Sequence, residues 1–230
     1  MDRNEFIKQV KKMYPTINDS FFDAIEIYKS FLYEYNQHTN LTRLDNGDLI
    51  YQNYFYDSIA PYQDLDWTSI SNVLDIGSGS GIPGVVLKLL FPHINLTIIE
   101  ANKKKCIFLT KLVNLLNINV TILNKRAEEI EKEQREAFDL VTSRAVAPLP
   151  ILLEISVPYC KVNGIIIEPK GKNYLDEYKY TNKLVGMLGV KLLPIKKTAN
   201  GVIIIGLKTK KTPTIYPRRY KDIVKEYERG

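Results

Sequence analysis

Val73-Leu74-Asp75-Ile76-Gly77-Ser78-Gly79-Ser80-Gly81-Ile82-Pro83-Gly84 decides how this chain is read. An apolar run carrying one carboxylate gives way to glycines alternating with small residues, and a helix can then begin. That order is a strand feeding a tight turn into a helix N-terminus, the usual cradle for a nucleotide-like ligand in an open α/β sheet. Glycine belongs where the backbone turns with positive φ or where a ligand lies on the main chain, and Pro83 suits a first helical position. By letter, Gly79-Ser80-Gly81-Ile82-Pro83-Gly84 is a G-x-G-x-x-G. A pyrophosphate site, however, wants its first glycine directly after the strand. With the strand ending near Ile76 that glycine is Gly77, and the frame becomes Asp75-x-Gly77-x-Gly79-x-Gly81. An acid two residues ahead of the glycines repels a pyrophosphate and tolerates a cationic ligand such as S-adenosylmethionine (AdoMet).

Outward from the loop, Leu96-Thr97-Ile98-Ile99 reads as the next strand and ends in Glu100, an acid placed to accept both hydroxyls of a ribose. AdoMet is therefore the expected cofactor, with Gly77, Ser78, Gly79, Gly81 and Glu100 around it. A bare glycine turn beside a solvated glutamate is the plain alternative. An isolated glycine motif is a weak signal, but strand, loop, helix, strand and acid together form a composite one.

The rest of the chain continues the alternation. Strands are predicted at 72–76, 95–100, 119–123, 138–143 and 162–168, with helices at 83–91, 103–117 and 148–158 and a short acidic helix at 127–136. A helix at 173–187 and strands at 190–196 and 201–207 follow. Alternating β and α predicts an α/β, doubly wound parallel sheet. Only Lys197-Thr198-Ala199-Asn200 separates the last two strands. That is too short for a crossover helix, so the last strand should run antiparallel near the sheet edge. Such a sheet suits the class I AdoMet-dependent methyltransferases, a Rossmann-like arrangement, better than the dinucleotide dehydrogenases.

Ahead of the sheet, Phe21, Ile25, Tyr28, Leu32 and Tyr35 form one stripe on one helix face. Asn18-Asp19-Ser20 offers an N-cap, with Asp23 three residues after Ser20 in capping-box spacing. The helix should end near Asn36, before a polar connector running to Thr42, and residues 51–62 read as another helix ending near Pro61. The expected division is a helical cap at 1–65 packing on the main domain, an AdoMet-binding domain at 66–208 and a basic tail at 209–230.

Composition bounds the partners. The chain has 230 residues, 45% hydrophobic and 25% charged, which is the balance of a soluble globular protein. No apolar run approaches the ~20 residues of a membrane span, and Met1-Asp2-Arg3-Asn4-Glu5 lacks the grammar of a signal peptide. Cys106 and Cys160 are too few and too far apart for a disulfide framework or a zinc site, so a cytoplasmic protein without a metal is expected. The net charge of +6 is uneven: residues 1–70 are net acidic, whereas the remainder, including the glycine loop, is net basic. That asymmetry points to a polyanion, most simply nucleic acid.

Taken together, these residues resemble the bacterial small-subunit ribosomal RNA guanine-N7 methyltransferases, also called glucose-inhibited division protein B. The resemblance spans most of the chain. It is carried by Asn36…Asn40-Leu41-Thr42, Asp57-Ser58, the glycine loop through Gly-Ile-Pro-Gly, Glu100…Lys104-Lys105…Phe108-Leu109, Arg126-Ala127-Glu128, Thr142-Ser143-Arg144-Ala145, Lys170-Gly171 and Tyr216-Pro217-Arg218-Arg219. The glycine loop alone says methyltransferase, and the other motifs are more specific. The resemblance implies that Gly77, Ile82, Ala127, Glu128 and Arg144 line the AdoMet pocket, and that the target is a guanosine in the 530 loop of 16S rRNA, free or in a small-subunit particle. Two departures stand out. Asn53-Tyr54 replaces the family's Arg-His, so no substrate role of that His carries over, and the end after Arg219 lacks the expected Gly/Pro/Lys-rich composition.

The chemistry agrees with that implication. Methylating an exocyclic amine usually calls for an Asn/Asp-Pro-Pro-aromatic turn after the fourth strand, where this chain has Ser143-Arg144-Ala145-Val146-Ala147-Pro148. A C5-pyrimidine mechanism needs a nucleophilic Cys, and neither Cys falls at that strand's tip. Guanine N7 presents its own lone pair and needs no base, so Arg144 is expected only to orient. Lys103, Lys104, Lys105, Lys170, Lys172, Arg218 and Arg219 are the candidate RNA phosphate contacts. A methyltransferase of another substrate, or an RNA-binding module with a vestigial pocket, would fit less of this pattern.

Overall fold

Strand β1 (Asn72–Ile76) lies between β2 (Asn95–Ile99) and β4 (Phe138–Ser143), parallel to both, in a computed structural model that describes residues 1–39, 41, 49–198 and 200–229. The full order is β3 (Val120–Leu123), β2, β1, β4, β5 (Cys160–Lys170), β8 (Gly201–Lys208) and β6 (Val190–Leu192), with β7 (Lys196–Thr198) also paired to β8. Strands β1 to β5 are parallel, and β8 runs antiparallel to β5, β6 and β7. Chain order reverses between β1 and β4. That is the switch point where ligands of open sheets bind, outside the carboxyl ends of the strands.

Side chains alternate across the sheet, as the strand period requires. From β1, Val73 enters one core and Leu74 and Ile76 the other; from β2, Leu96 and Ile98 enter the first and Ile99 the second. The first core is closed by helices α1 (Arg3–Met13), α2 (Ser20–Thr39), α3 (Gly84–Leu90) and α4 (Lys103–Leu115). The second is closed by α5 (Leu149–Ser156), α6 (Tyr174–Lys179), α7 (Thr181–Leu188) and α8 (Tyr220–Arg229). The α2 stripe is seated as its spacing predicts: Phe21, Ile25, Tyr28 and Leu32 are buried, and Tyr35 packs edge-on to Phe108 of α4 at 5.0 Å.

Several expectations are corrected. Of Asn18-Asp19-Ser20 it is Asn18 that caps α2, its side chain accepting from Ser20 N at 2.9 Å, and Ser20 is the first helical residue, not the start of a capping box with Asp23. That helix runs on to Thr39, past Asn36; of the polar connector beyond it, residue 40 and residues 42–48 lie outside the described residues. Residues 51–62 form a π-helical turn (Tyr51–Phe55) and two 3₁₀ turns (Tyr56–Ser58, Ala60–Tyr62) in place of one helix. Pro83 stands one place before α3. The acidic helix at 127–136 is a turn followed by a single 3₁₀ turn, Lys132–Gln134. Helix 173–187 divides at Tyr180 into α6 and α7, and strand 190–196 divides around Pro194, which has no N–H for the ladder. Residues expected as a basic tail pack on the sheet domain: Tyr216 and Ile223 are buried in the second core. No helix among the described residues is long and apolar enough to cross a membrane.

Candidate active site

The turn after β1 is built by its glycines and by the acid inside the strand. Gly77, Gly79 and Gly81 all take positive φ, which side chains rarely adopt. At Gly77, with φ +68°, a Cβ would also lie 2.5 Å from a Val146 methyl, so the bare backbone leaves a cradle that any side chain would fill. Asp75 is fully buried and turned back into the loop, where it accepts from Ser78 Oγ at 2.6 Å and from Gly84 N at 2.8 Å. Burial, opposed by these two hydrogen bonds, pushes its pKa up to about 7. The reading of Asp75 as a charge facing the ligand is therefore corrected: it staples the loop from behind.

Across the switch point the loop opens into a cavity of ≈ 250 Å³. Gly77 and Glu100 line it, with Ala127 and Glu128 at the end of β3 and Ala145, Val146 and Ala147 beyond β4. Glu100 is held rigidly: Oε2 accepts from Gly79 N at 3.0 Å and Oε1 from Asn102 N at 2.8 Å. Each oxygen keeps a second acceptor position, which is what a ribose diol would use. Asn124 ties the ends of β2 and β3 together by donating to the carbonyls of Glu100 and Ala101 at 2.9 and 3.1 Å. The Ala127 carbonyl accepts from Tyr159 Oη at 2.7 Å, which fixes the turn that carries Glu128.

The remaining predicted cofactor residues sit behind or beside this lining. Ser78 is buried on Asp75, while Gly79, Gly81 and Ile82 form the back of the loop. The loop is gripped from the N-terminal helices: Tyr28 Oη donates to the Ser80 carbonyl, and the Tyr54 hydroxyl meets Ser80 Oγ. Arg144 turns away from the cavity and onto the same helices. It donates to Asn53 O at 2.5 Å, Ser58 Oγ at 3.3 Å and Tyr54 O at 3.5 Å, with the Asp57 carboxylate at 3.9 Å.

The predicted RNA contacts divide in the same way. Lys103, Lys104, Lys172 and Arg219 are exposed, although Arg219 also pairs with Asp222 at 2.8 Å. Lys105 lines the cavity. Lys170 has a side chain only 11% exposed, paired with Glu177 at 2.7 Å and donating to the Ala147 carbonyl at 2.8 Å. Arg218 is locked to the buried Glu154 at 2.6 Å and also reaches Glu226. These last two are structural ion pairs, and Glu154 lies too far from Arg218 along the chain for spacing to reveal it. Sequence reading also missed the polar reach of Tyr28 and Tyr54, and it missed Val146 and Tyr220 as cavity walls. Tyr28 did carry a signal, its place in the α2 stripe, but that announced only burial. Among the described residues no metal-binding group of His, Cys, Asp or Glu occurs.

Comparison with known proteins supplies the family. Residues 22–204 match the family model described as GidB, rRNA small subunit methyltransferase G. The ribosomal RNA small subunit methyltransferase G of Ureaplasma parvum serovar 3 is 42% identical over 234 residues, 98% of this chain and 99% of its own. Those of Malacoplasma penetrans and Bacillus subtilis are 44% and 32% identical, the first covering 97% of this chain and 98% of its own, the second 95% of each. Among solved structures, a SAM dependent methyltransferase from Aquifex aeolicus matches with TM-score 0.53 at 13% identity, over 74% of this chain and 96% of its own. The ribosomal protein L11 methylase of Lactobacillus delbrueckii subsp. bulgaricus matches with TM-score 0.53 at 14% identity, over 66% and 77%. At such identities the two structures speak for the class I methyltransferase fold alone. The sequence relatives go further, and this chain belongs to the rRNA small subunit methyltransferase G family.

Proposed function

We propose that the protein transfers the methyl group of AdoMet to N7 of a guanosine in the 530 loop of 16S rRNA, acting in the cytoplasm on the RNA or on a small-subunit particle. One observation carries the reading: a side-chain-free cradle at Gly77 and a fixed carboxylate at Glu100 share one cavity at the sheet's switch point. Gly77 and the backbone around it would receive the methionine end, Glu100 the ribose, and Ala127 with Glu128 the adenine. Ser78, Gly79, Gly81 and Ile82 shape the loop. When bound, AdoMet supplies an electrophilic methyl on a sulfonium. The acceptor N7 brings its own lone pair, so the residues of this chain need only hold it in line and exclude water. Positioning of that kind is worth ~7–11 kcal/mol.

Arg144 then acts as a positioning residue that fixes residues 53–58 of the cap beside the cradle. Residues 1–65 serve as the cap and 66–208 as the catalytic domain, while 209–230 are the C-terminal segment, whose described residues dock on that domain. N7 faces the major groove, which is too deep and narrow in A-form RNA for side chains, so the target guanine must lie in irregular structure. Lys103, Lys104, Lys172 and Arg219 remain as phosphate contacts, and Lys105 belongs with the cofactor cavity. The test is incubation with methyl-labelled AdoMet and 16S rRNA or small subunits, followed by mapping of the modified base. Label on a single guanine N7 is expected. Label on another atom or another RNA, with the donor bound, would overturn the reading.

A further inference from the structure

We propose that Tyr220 is the outer aromatic wall of the cofactor cavity and stacks on the adenine ring. This rests on the AdoMet reading above and extends it to a segment expected only to touch RNA. Tyr220 opens α8 and lines the cavity together with Arg126, Ala127 and Glu128. The residue is 37% exposed, and the Arg126 guanidinium lies 5.8 Å from its ring centroid. Ile76, Ile99 and Ile155 give the same cavity apolar surface. A flat, apolar-faced heterocycle with polar edges fits between such a floor and such a wall.

The ring is held there by an anchorage that its own burial does not explain. Upstream, the Arg135 guanidinium gathers three carbonyls, Thr212 at 3.2 Å, Pro213 at 2.8 Å and Tyr216 at 2.8 Å. Next, Arg218 is fixed to Glu154, whose side chain is 1% exposed, by its side chain and by its backbone N at 3.0 Å. Downstream, Ile223 is buried, and Tyr227 packs edge-on to Tyr180 at 5.7 Å. The anchors are hydrogen-bonded, ion-paired or packed, and the residue they frame is a partly open aromatic over an open cavity. A base stacked on an aromatic side chain is a sequence-tolerant, face-to-face contact, and its removal commonly costs about tenfold in affinity.

The experiment uses the full chain and calorimetric titration with AdoMet, with adenosine as a second probe of the adenine end alone. Tyr220→Ala should weaken both by roughly tenfold, and Tyr220→Phe should rescue what Ala loses. Tyr220→Trp gives a readout independent of turnover. The chain's own tryptophan is Trp67, stacked on Phe91 at 3.8 Å, so ligand-dependent quenching absent from the unsubstituted protein would come from position 220. If the unsubstituted protein binds AdoMet while Ala leaves both affinities unchanged, or the Tyr220→Trp protein shows no quenching, the proposal is overturned and the methyltransferase reading stands. If the unsubstituted protein binds neither probe, both fall. Should Ala unfold the chain, the Phe and Trp variants still decide.

Discussion

The hydroxyl of Tyr28 donates to the carbonyl of Ser80, 52 residues further along the chain, and so ties helix α2 to the centre of the glycine loop. Tyr28 is wholly buried, and a Cβ at Gly81 would collide with that hydroxyl. The bare Gly81 therefore serves the cap as well as the loop. Tyr28→Phe removes the donor and leaves a buried carbonyl short of a partner, which costs about 1–3 kcal/mol. Urea unfolding should show that loss, accompanied by weaker AdoMet binding. A variant as stable as the original would mean the carbonyl has other company.

Gly77→Ala should weaken AdoMet binding by at least roughly tenfold, since a left-handed conformation costs a side chain ~1–2 kcal/mol before any clash. The clash is with Val146, so the double variant Gly77→Ala/Val146→Ala should recover part of the affinity but not the share owed to φ. Calorimetry on the two variants separates the contributions. Full recovery would show that strain at φ +68° is unimportant.

Arg144→Ala should lower turnover on rRNA far more than it lowers AdoMet affinity, because its partners Asn53, Tyr54 and Ser58 belong to the cap and not to the cavity. Arg144→Lys should restore little, since one ammonium cannot reproduce a planar fork spread over several acceptors. Separate measurement of donor Kd and turnover tests this. Equal losses in both would place the guanidinium at the methionine end.

Lys170 and Lys172, read together in the sequence, should part company. Lys172→Gln should weaken RNA binding and flatten its salt dependence by about one unit of slope. Lys170→Gln should chiefly lower the melting temperature, because it strips Glu177 and the Ala147 carbonyl of their shared cation. Filter binding across a salt series, alongside thermal melts, distinguishes them. A salt slope altered by Lys170→Gln alone would reverse the assignment.

Glu168, buried at the end of β5 and accepting from Ser143 Oγ at 2.6 Å, has its pKa pushed by burial from 4.5 up to about 8. The folded protein therefore keeps this proton across a range where the unfolded chain has lost it, and stability falls as pH rises through that range. Glu168→Gln, permanently neutral, should match the original near about pH 5 and exceed it above about pH 8. Asp75, pushed up to about 7, acts with the same sign, so the variant flattens the profile only in part. Parallel stability profiles would mean that Glu168 is ionised in the fold.

What the sequence made legible follows from which forces are local. Strands β1 and β4 span 72–76 and 138–143 as read, because strands buried on both faces carry adjacent apolar residues, Val73-Leu74 and Leu140-Val141. Residues 127–136 looked helical by composition and fold otherwise. Tyr159 holds the Ala127 carbonyl, while Lys125 collects the Glu129 carbonyl and the side chains of Glu131 and Gln134. Neither the distant Tyr159 nor the side-chain bonds of Lys125 are visible in helix propensity. The same holds for charge: Arg218 reads as a free cation until Glu154 is placed beside it. Gly77 and Glu100 could be placed at the cavity because each directly follows a strand of one sheet, whereas Ala127 and Glu128 came from the family resemblance. Tyr220 could not be, because it reaches the cavity from a helix elsewhere in the chain.

The grip of Tyr28 and Tyr54 on Ser80 also has a direction in time. Both phenols precede the loop in the chain, so a ribosome releases them first. When Ser80 emerges, the two residues that clasp it are already outside, and the segment with the least side chain of its own is the last of the three to arrive.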